Sequence, residues 1–337
     1  MPNAVKFSLG TWAAMTWRIQ LQSVKLMNAA GLVTHLSFGS ESGNLEEIRL
    51  TADALCEHGE ALSQMTRRLM SEGLPYFTAR ERSLNSILRI SKDFISQPNN
   101  ILAIEYMKTL RQTRSALIPL TIRREDMGYH ESASALRRCI NERDYPALAR
   151  YMPESAFFLG LKHLSQYGAA DMDRLSGALH YLLRTKPAEE IKAVLDMNDG
   201  VAERMLKLCG ASASITELLD SVKTKRYAYT RLKRAAAHLL LDINREAFDT
   251  LNETGGPRYI RVLGFRKDAA GLLGDLTRRA ALPVITDLKK AGGVLDESGM
   301  TMLEKDIKST DIYYLACERK KNTHGISHEY YRGIIVV

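Results

Sequence analysis

The sequence predicts an α/β domain followed by a mainly α-helical one, and three observations lead there. Residues 36–48, LSFGSESGNLEEI, read as a strand that runs through a glycine turn into a helix. A second β-rich run, SALIPLTIRRE (115–125), follows intervening helical sequence, which is the alternation of an open α/β sheet. Beyond Tyr145 the strand texture gives way to one helical pattern after another. The boundary is therefore placed at residue 145, giving domains 1–145 and 146–337. A chain of 337 residues accommodates two, because single cores stop growing near ~250–300 residues.

Each element follows from its residues. LQSVKLMNAAGLVTHL (21–36) is an amphipathic helix stopped at Gly31 and leading into a short strand, VTHLSF. The stretch from Leu45 repeats apolar residues at three- and four-residue spacing as one long helix up to Gly73, and LPYFTARERSLNSILR continues helical. QPNNILAIEYMKTL (97–110) opens on an N-cap pattern and turns Ile101, Ile104, Tyr106 and Met107 inward. Pro119 is tolerable near the start of the second strand. A loop with Gly128 leads into SASALRRCINERD, a helix opened by serine. Two further β-like runs, RYIRVLGF (258–265) and ALPVITDLKK (281–290), interrupt the helices before a final helix, TMLEKDIKSTDIYYLACE, and a loose tail ending GIIVV.

Composition narrows the classes. Hydrophobic residues make up 45% and charged residues 26%, ordinary for a soluble globular protein. No stretch approaches the ~20 apolar residues that cross a bilayer, and VKFSLGTWAAMTWRI is interrupted by polar residues with no clear cleavage site. A cytoplasmic protein without membrane contact is expected. Four scattered cysteines without a C-x-x-C pair, and eight histidines without H-E-x-x-H, argue against a redox dithiol or a metal site. The net charge of +8 favours a polyanionic partner. It is concentrated in KTKRYAYTRLKRAAAH (223–238), where Lys223, Lys225, Arg226, Arg231, Lys233 and Arg234 occur with no acid among them.

Phosphate-binding candidates fall in the first domain. In GYHESASALRR, Ser132 and Ser134 can offer hydroxyls and helix N–H groups to an anion, with Arg137 a turn further on. By itself S-x-S-x-x-R is equally an ordinary serine cap beside a solvated arginine. Gly39 after a strand allows close backbone approach to a ligand, or serves only a tight turn. Asn99 and Asn100 suit either a base and ribose or a helix cap. Arg123 and Arg124 end the second strand, where ligands of open α/β sheets bind, or they are a solvated strand end.

Taken together, HLSFGSESGNLEEI, PNNILAIEYMKTL, LTIRREDMGYHESASALRR, TKRYAYTRLKRAAAHLLL, YIRVLGF and LEKDIKSTDIYYLA, in this order, closely resemble the bacterial tRNA(Met) cytidine acetate ligase family from about residue 20 onward. The resemblance implies a Rossmann-like nucleotidyltransferase of the H-x-G-H class with an added helical domain. It implies ATP, taken with Mg2+, as cofactor, and acetate and elongator tRNA(Met) as partners. Acetate is activated as acetyl-adenylate and passed to N4 of the wobble cytidine. Carried over by position, Gly39, Asn100 and Arg124 match ATP-contacting positions, with Glu125 as a neighbour, and Ser132, Ser134 and Arg137 match the serine motif that holds triphosphate. The basic segment, Lys223, Lys225, Arg226, Arg231, Lys233 and Arg234, then belongs to the tRNA surface, with Arg258 and Arg261 as additions.

The chain departs from the family in one respect. No H-x-G-H occurs in it, residues 1–19 do not match, and the catalytic residues are left unassigned. An incomplete nucleotidyltransferase domain is expected, with exposed ladder edges and apolar faces on the remaining strands. AVKFSL could form a replacement strand, and His35 and His130 are the histidines nearest the site. Two alternatives stand beside the ligase: a catalytically inactive tRNA-binding relic, and an adenylyltransferase acting on another small molecule.

Overall fold

The structure, a computed structural model, describes residues 6–8, 19–74, 76–91, 93–124, 129–198, 200–224, 227–253, 255–319, 328–331 and 333–337. Lys6–Ser8 form a short strand, β1. Ile19–Ala30 form helix α1, which stops at Gly31 with φ +67°, where a Cβ would lie 2.7 Å from the Arg279 carbonyl oxygen. Strand β2 (His35–Ser40) then leads through the glycine turn into α2 (Leu45–Glu57), whose N-cap Asn44 accepts from the Glu47 N–H at 3.1 Å.

The helix expected to run unbroken to Gly73 is two helices: α2 ends at His58 (φ −117°) and α3 covers Gly59–Ser71. Glycine is a poor helix former, so the break falls where the apolar spacing alone gives no sign of it. Helix α4 (Tyr76–Asn85) folds back on α3, and α5 (Pro98–Gln112) begins with proline at its first turn. Strand β3 (Ile118–Arg123) pairs parallel with β2, from His35 opposite Ile118 to Ser40 opposite Arg123.

One face of this strand pair is packed and the other is bare. Leu36 and Phe38 join Ile48, Leu84, Phe94, Ala103 and Ile104 in a core under α5. On the opposite face Ile118, Leu120 and Ile122 are 52%, 46% and 66% exposed. Strands of parallel sheets are normally covered on both sides. The expected bare apolar face is therefore present, and among the described residues β2 and β3 pair only with each other.

The chain continues with α6 (Tyr129–Glu142), α7 (Tyr145–Arg150) and α8 (Glu154–Tyr167). A helical layer follows: α9 (Ser176–Thr185), α10 (Ala188–Ala193), α11 (Val201–Leu208), α12 (Ile215–Val222), α13 (Tyr229–Leu241) and α14 (Arg245–Glu253). Leu179, Ile191, Met205, Leu218, Leu219, Leu232 and Leu239 form its core. Strand β4 (Ile260–Phe265), α15 (Ala270–Arg279), β5 (Val284–Ile285) and α16 (Glu297–Leu315) complete this half, so the two β-like runs seen in the sequence are strands of one sheet. No described helix is long and apolar enough to cross a membrane.

Two expectations about the ends are corrected. The tail is not loose: β6 (Ile335–Val336) pairs parallel with β4, and the Val337 N–H donates to the Phe265 carbonyl at 3.1 Å. Consecutive β-branched residues suit a pleated edge. The stretch AVKFSL does hold a strand, but β1 pairs antiparallel with β4 and does not replace a neighbour of β2.

Candidate functional site

Because β2 and β3 run parallel, their C-terminal ends finish side by side, and the N-terminus of α5 meets them there. Ligands of open α/β sheets bind at such ends. The Glu41 side chain, leaving β2, caps α5. Its Oε1 accepts from the Asn99 backbone N–H at 3.1 Å and from Asn99 Nδ2 at 2.6 Å, and its Oε2 accepts from the Asn100 N–H at 2.8 Å. A carboxylate is favoured at a helix N-terminus by the unpaired N–H groups and the dipole. Burial pushes the Glu41 carboxyl up, but the bonds from Asn99 and Asn100 together outweigh it and the group lies below the ordinary value of 4.5.

Asn100 locks the turn from within. It is fully buried; its Oδ1 accepts from the Ser42 N–H at 3.1 Å, and its Nδ2 donates to the Phe94 carbonyl at 3.1 Å and to Gln97 Oε1 at 2.7 Å. Asn99 faces the other way, where its Oδ1 accepts from Arg124 Nη1 at 2.7 Å. Arg124 also donates its backbone N–H to the Ser40 carbonyl at 2.8 Å, one step beyond the strand ladder. A Cβ at Gly39 would lie 3.2 Å from both Cγ and Cδ of Arg124. The glycine thus leaves room for the arginine stem to lie across β2.

The structure brings together Gly39, Asn99, Asn100 and Arg124. Glu41, which ties three of their donors together, is the residue that sequence reasoning missed. Its partners lie 58 and 59 residues away, and in SES it reads as a turn acid. Arg123 points to solvent beside Gly43. Glu125 lies outside the described residues.

The serine motif sits differently from expectation. Helix α6 begins at Tyr129, so Ser132 is its fourth residue and Ser134 its sixth, rather than its opening. The side chains of Ser132 and Ser134 lie outside the described residues, as does that of His130. Arg137 is exposed on α6. His35 sits at the opposite end of β2, roughly 16 Å of strand from Ser40 at ~3.3 Å per residue, with its Nδ1 2.8 Å from Thr34 Oγ1. It cannot reach the sheet end.

The basic segment forms a second locus. Lys223 and Lys233 are exposed, and their Nζ atoms lie 5.8 Å and 5.0 Å from the Tyr229 ring centroid. Such cation–aromatic groups suit a phosphate backbone with stacked bases. Arg231 is half-buried and donates through Nη2 to Asn198 Oδ1 at 2.6 Å; Arg234 pairs with Asp196 at 3.1 Å. Beneath them His238 is fully buried, with Nδ1 3.0 Å from the Leu195 carbonyl oxygen and 3.5 Å from Asp196. Lys225 and Arg226 lie outside the described residues. Arg261 is withdrawn from this surface: it is 12% exposed and paired with Glu329 at 2.5 Å. Arg258 is half-buried.

Comparisons with known proteins bear on the chain as a whole. The profile of the family described as HIGH Nucleotidyl Transferase matches residues 20–328. The tRNA(Met) cytidine acetate ligase of Thermoanaerobacter sp. (strain X514) is 32% identical over 305 residues, covering 87% of this chain and 74% of that protein. The protein of the same name from Halothermothrix orenii is 32% identical over 317 residues, with 87% and 75% covered. Among solved structures, Thermotoga maritima TmcAL bound with alpha-thio ATP superposes with a TM-score of 0.86 at 22% identity, covering 99% of this chain and 84% of that one.

Proposed function

Because this chain belongs to the tRNA(Met) cytidine acetate ligase family of HIGH nucleotidyl transferases, we propose that it binds ATP at the joined ends of β2, β3 and α5, and that its reaction is the acetylation of the wobble cytidine of elongator tRNA(Met). The observation that carries this reading is the fixed guanidinium of Arg124, keyed through Asn99 to Glu41 at the end of a parallel sheet. A forked cation held in one orientation suits a phosphate, and charge-assisted contacts of that kind are the strong ones.

In the proposed reaction an acetate oxygen attacks the α-phosphorus of ATP, the α–β phosphoanhydride bond breaks, and pyrophosphate leaves with its electron pair. The N4 amine of cytidine then attacks the acetyl carbonyl, AMP leaves, and the amine loses a proton. Arg124 opposes the negative charge on the phosphates, the electrostatic contribution that dominates such steps. Gly39 leaves the approach open, Asn100 holds the turn rigid, and Arg137 with Ser132 and Ser134 is assigned to the outer phosphates. Lys223, Lys225, Arg226, Lys233, Arg231 and Arg234 receive the tRNA backbone.

Among the described residues no group of three or more His, Cys, Asp or Glu side chains could hold a metal ion. Both Glu41 oxygens already accept N–H groups. The Mg2+ expected with ATP would therefore be held chiefly by the nucleotide's own phosphates rather than by a cage of protein ligands, and no step here passes through it.

The test is acetate-dependent conversion of ATP to AMP by the whole chain with unmodified elongator tRNA(Met). Turnover that requires both acetate and tRNA supports the ligase. Retained tRNA binding without turnover would replace it by an RNA-binding protein. Turnover indifferent to both would point to an adenylyltransferase for another small molecule.

A further inference from the structure

Away from the sheet end, α3 and α4 enclose a cleft of about 610 Å3 against α2 and α5. Its floor is apolar, built partly by Leu62 and Leu84, which are 4% and 0% exposed. The hydroxyls of Thr66 and Ser83 bond to each other at 3.0 Å, and each donates to or lies against a helix carbonyl, so the polar part of the floor is satisfied. The volume falls within the ~300–1,000 Å3 range of ligand sites.

Three cations line its walls: Arg67, Arg80 and Lys108. Several neighbouring cations are matched by acids: Arg49 with Asp53, Arg68 with Glu72, Arg111 with Asp53 and Glu57, and Lys108 with Glu105. Arg67 and Arg80, which line the cleft, have no carboxylate within ion-pair distance among the described residues. Arg67 donates only to its own helix, at the Ser63 carbonyl (3.3 Å), and half-buried Arg80 reaches the Tyr76 hydroxyl at 3.3 Å. Tyr76 is 45% exposed at the rim and Met70 is 43% exposed beside it. Arg67 is exposed and Arg80 is half-buried over the Tyr76 ring, 6.0 Å from its centroid, and among the described residues neither charge is neutralised by a carboxylate.

We propose that this cleft is a second RNA subsite, taking one unstacked nucleotide with its phosphate between Arg67 and Arg80 and its base against Tyr76 and Met70. Charge complementarity selects an anion, and an apolar floor beside an exposed aromatic ring selects a planar body attached to it. The inference rests on the tRNA reading given above.

The experiment is a salt titration of unmodified elongator tRNA(Met) binding to the full chain, followed by fluorescence anisotropy. Each phosphate contact contributes about 0.7–0.9 to the slope of log affinity against log salt. Arg67→Ala with Arg80→Ala releases that one phosphate and therefore lowers the slope by about 0.7–0.9 and weakens binding several-fold at low salt, while ATP binding is unchanged. Arg80→Lys keeps the slope, because the charge survives. Tyr76→Ala weakens binding about fivefold or more with the slope intact, as loss of a stacking platform does.

An unchanged slope in the double variant overturns the proposal. If Arg231→Glu with Arg234→Glu weakens tRNA binding while Arg67→Ala with Arg80→Ala does not, this subsite alone is lost. If the unaltered chain binds no tRNA, the RNA reading falls and the subsite with it. Competition by free AMP as strong as that by tRNA would show a mononucleotide pocket and likewise refute the RNA assignment.

Discussion

The sheet end and the α12–α13 segment both present positive charge, and they hold it in different ways. At the sheet end one guanidinium, Arg124, is tied to a neutral amide that is itself fixed by Glu41, within a turn locked by buried Asn100. Between α12 and α13 two exposed lysines, Lys223 and Lys233, flank the half-buried ring of Tyr229, and the arginines lean on Asn198 and Asp196. A single cation with one allowed orientation recognises the geometry of a phosphate group. Several loosely held cations respond to charge density, and therefore to salt. Position of the cation matters in the first region and number of cations in the second.

The contrast breaks most visibly at the buried amides. Asn100→Leu leaves the Ser42 N–H and the Phe94 carbonyl without their partner, at a cost of about 3 kcal/mol of unfolding free energy. Asn198→Ala, which removes one acceptor from a partly exposed arginine, costs about 1 kcal/mol. Chemical denaturation of the two variants measures both. Equal losses would show that the sheet-end network is no more rigid than the surface of α13.

A pH series sharpens the comparison. Burial presses the His238 imidazole below its ordinary value of 6.5, outweighing the Leu195 carbonyl and Asp196, which favour the charged form, while Arg234 adds to the depression. A buried base with a depressed pKa favours folding fully above 6.5, and that contribution is lost as pH falls from 6.5 through the folded value. Glu41 is a carboxyl depressed below 4.5, so its contribution is present above 4.5 and is lost only as pH falls through its lower folded value. Amide exchange should therefore accelerate in α13 as pH falls below about 6.5, while the start of α5 stays protected to lower pH. Simultaneous loss of protection in both helices would contradict the assignment.

The smallest effect is on the bare face of the strand pair. Ile122 is 66% exposed, so Ile122→Thr should change stability by no more than about 0.5 kcal/mol. Phe38→Ala, on the packed face, should cost about 3 kcal/mol or more. A large loss at Ile122, read by thermal denaturation, would mean that something covers this face.

What was legible in the sequence was local. The passage from β2 through the glycine turn to α2 is written in thirteen consecutive residues, and both strands of the pair were visible as β-rich runs. Gly39, Asn100 and Arg124 were each candidates from their local pattern, and a family resemblance then singled them out. Nothing in the sequence joins Glu41 to Asn99, because that bond closes across 58 residues. The same limit hid the partners of Arg231 and Arg234, which lie 33 and 38 residues upstream, and the burial of Arg261 against Glu329. The break at His58 and the pairing of β6 with β4 escaped for a different reason. Apolar spacing continues through Gly59, and a short β-branched tail carries no record of the edge it joins.

The division of labour between the two regions is the central claim, and the most direct test is a paired measurement of ATP and tRNA dissociation constants on two variants of the whole chain. Arg124→Ala removes charge-assisted contacts of about 1.5–3 kcal/mol each and should weaken ATP binding roughly 10–100-fold while leaving tRNA binding within about twofold. Arg231→Glu with Arg234→Glu should weaken tRNA binding steeply at low salt and leave ATP binding unchanged. Equal loss of both ligands in both variants would contradict the account.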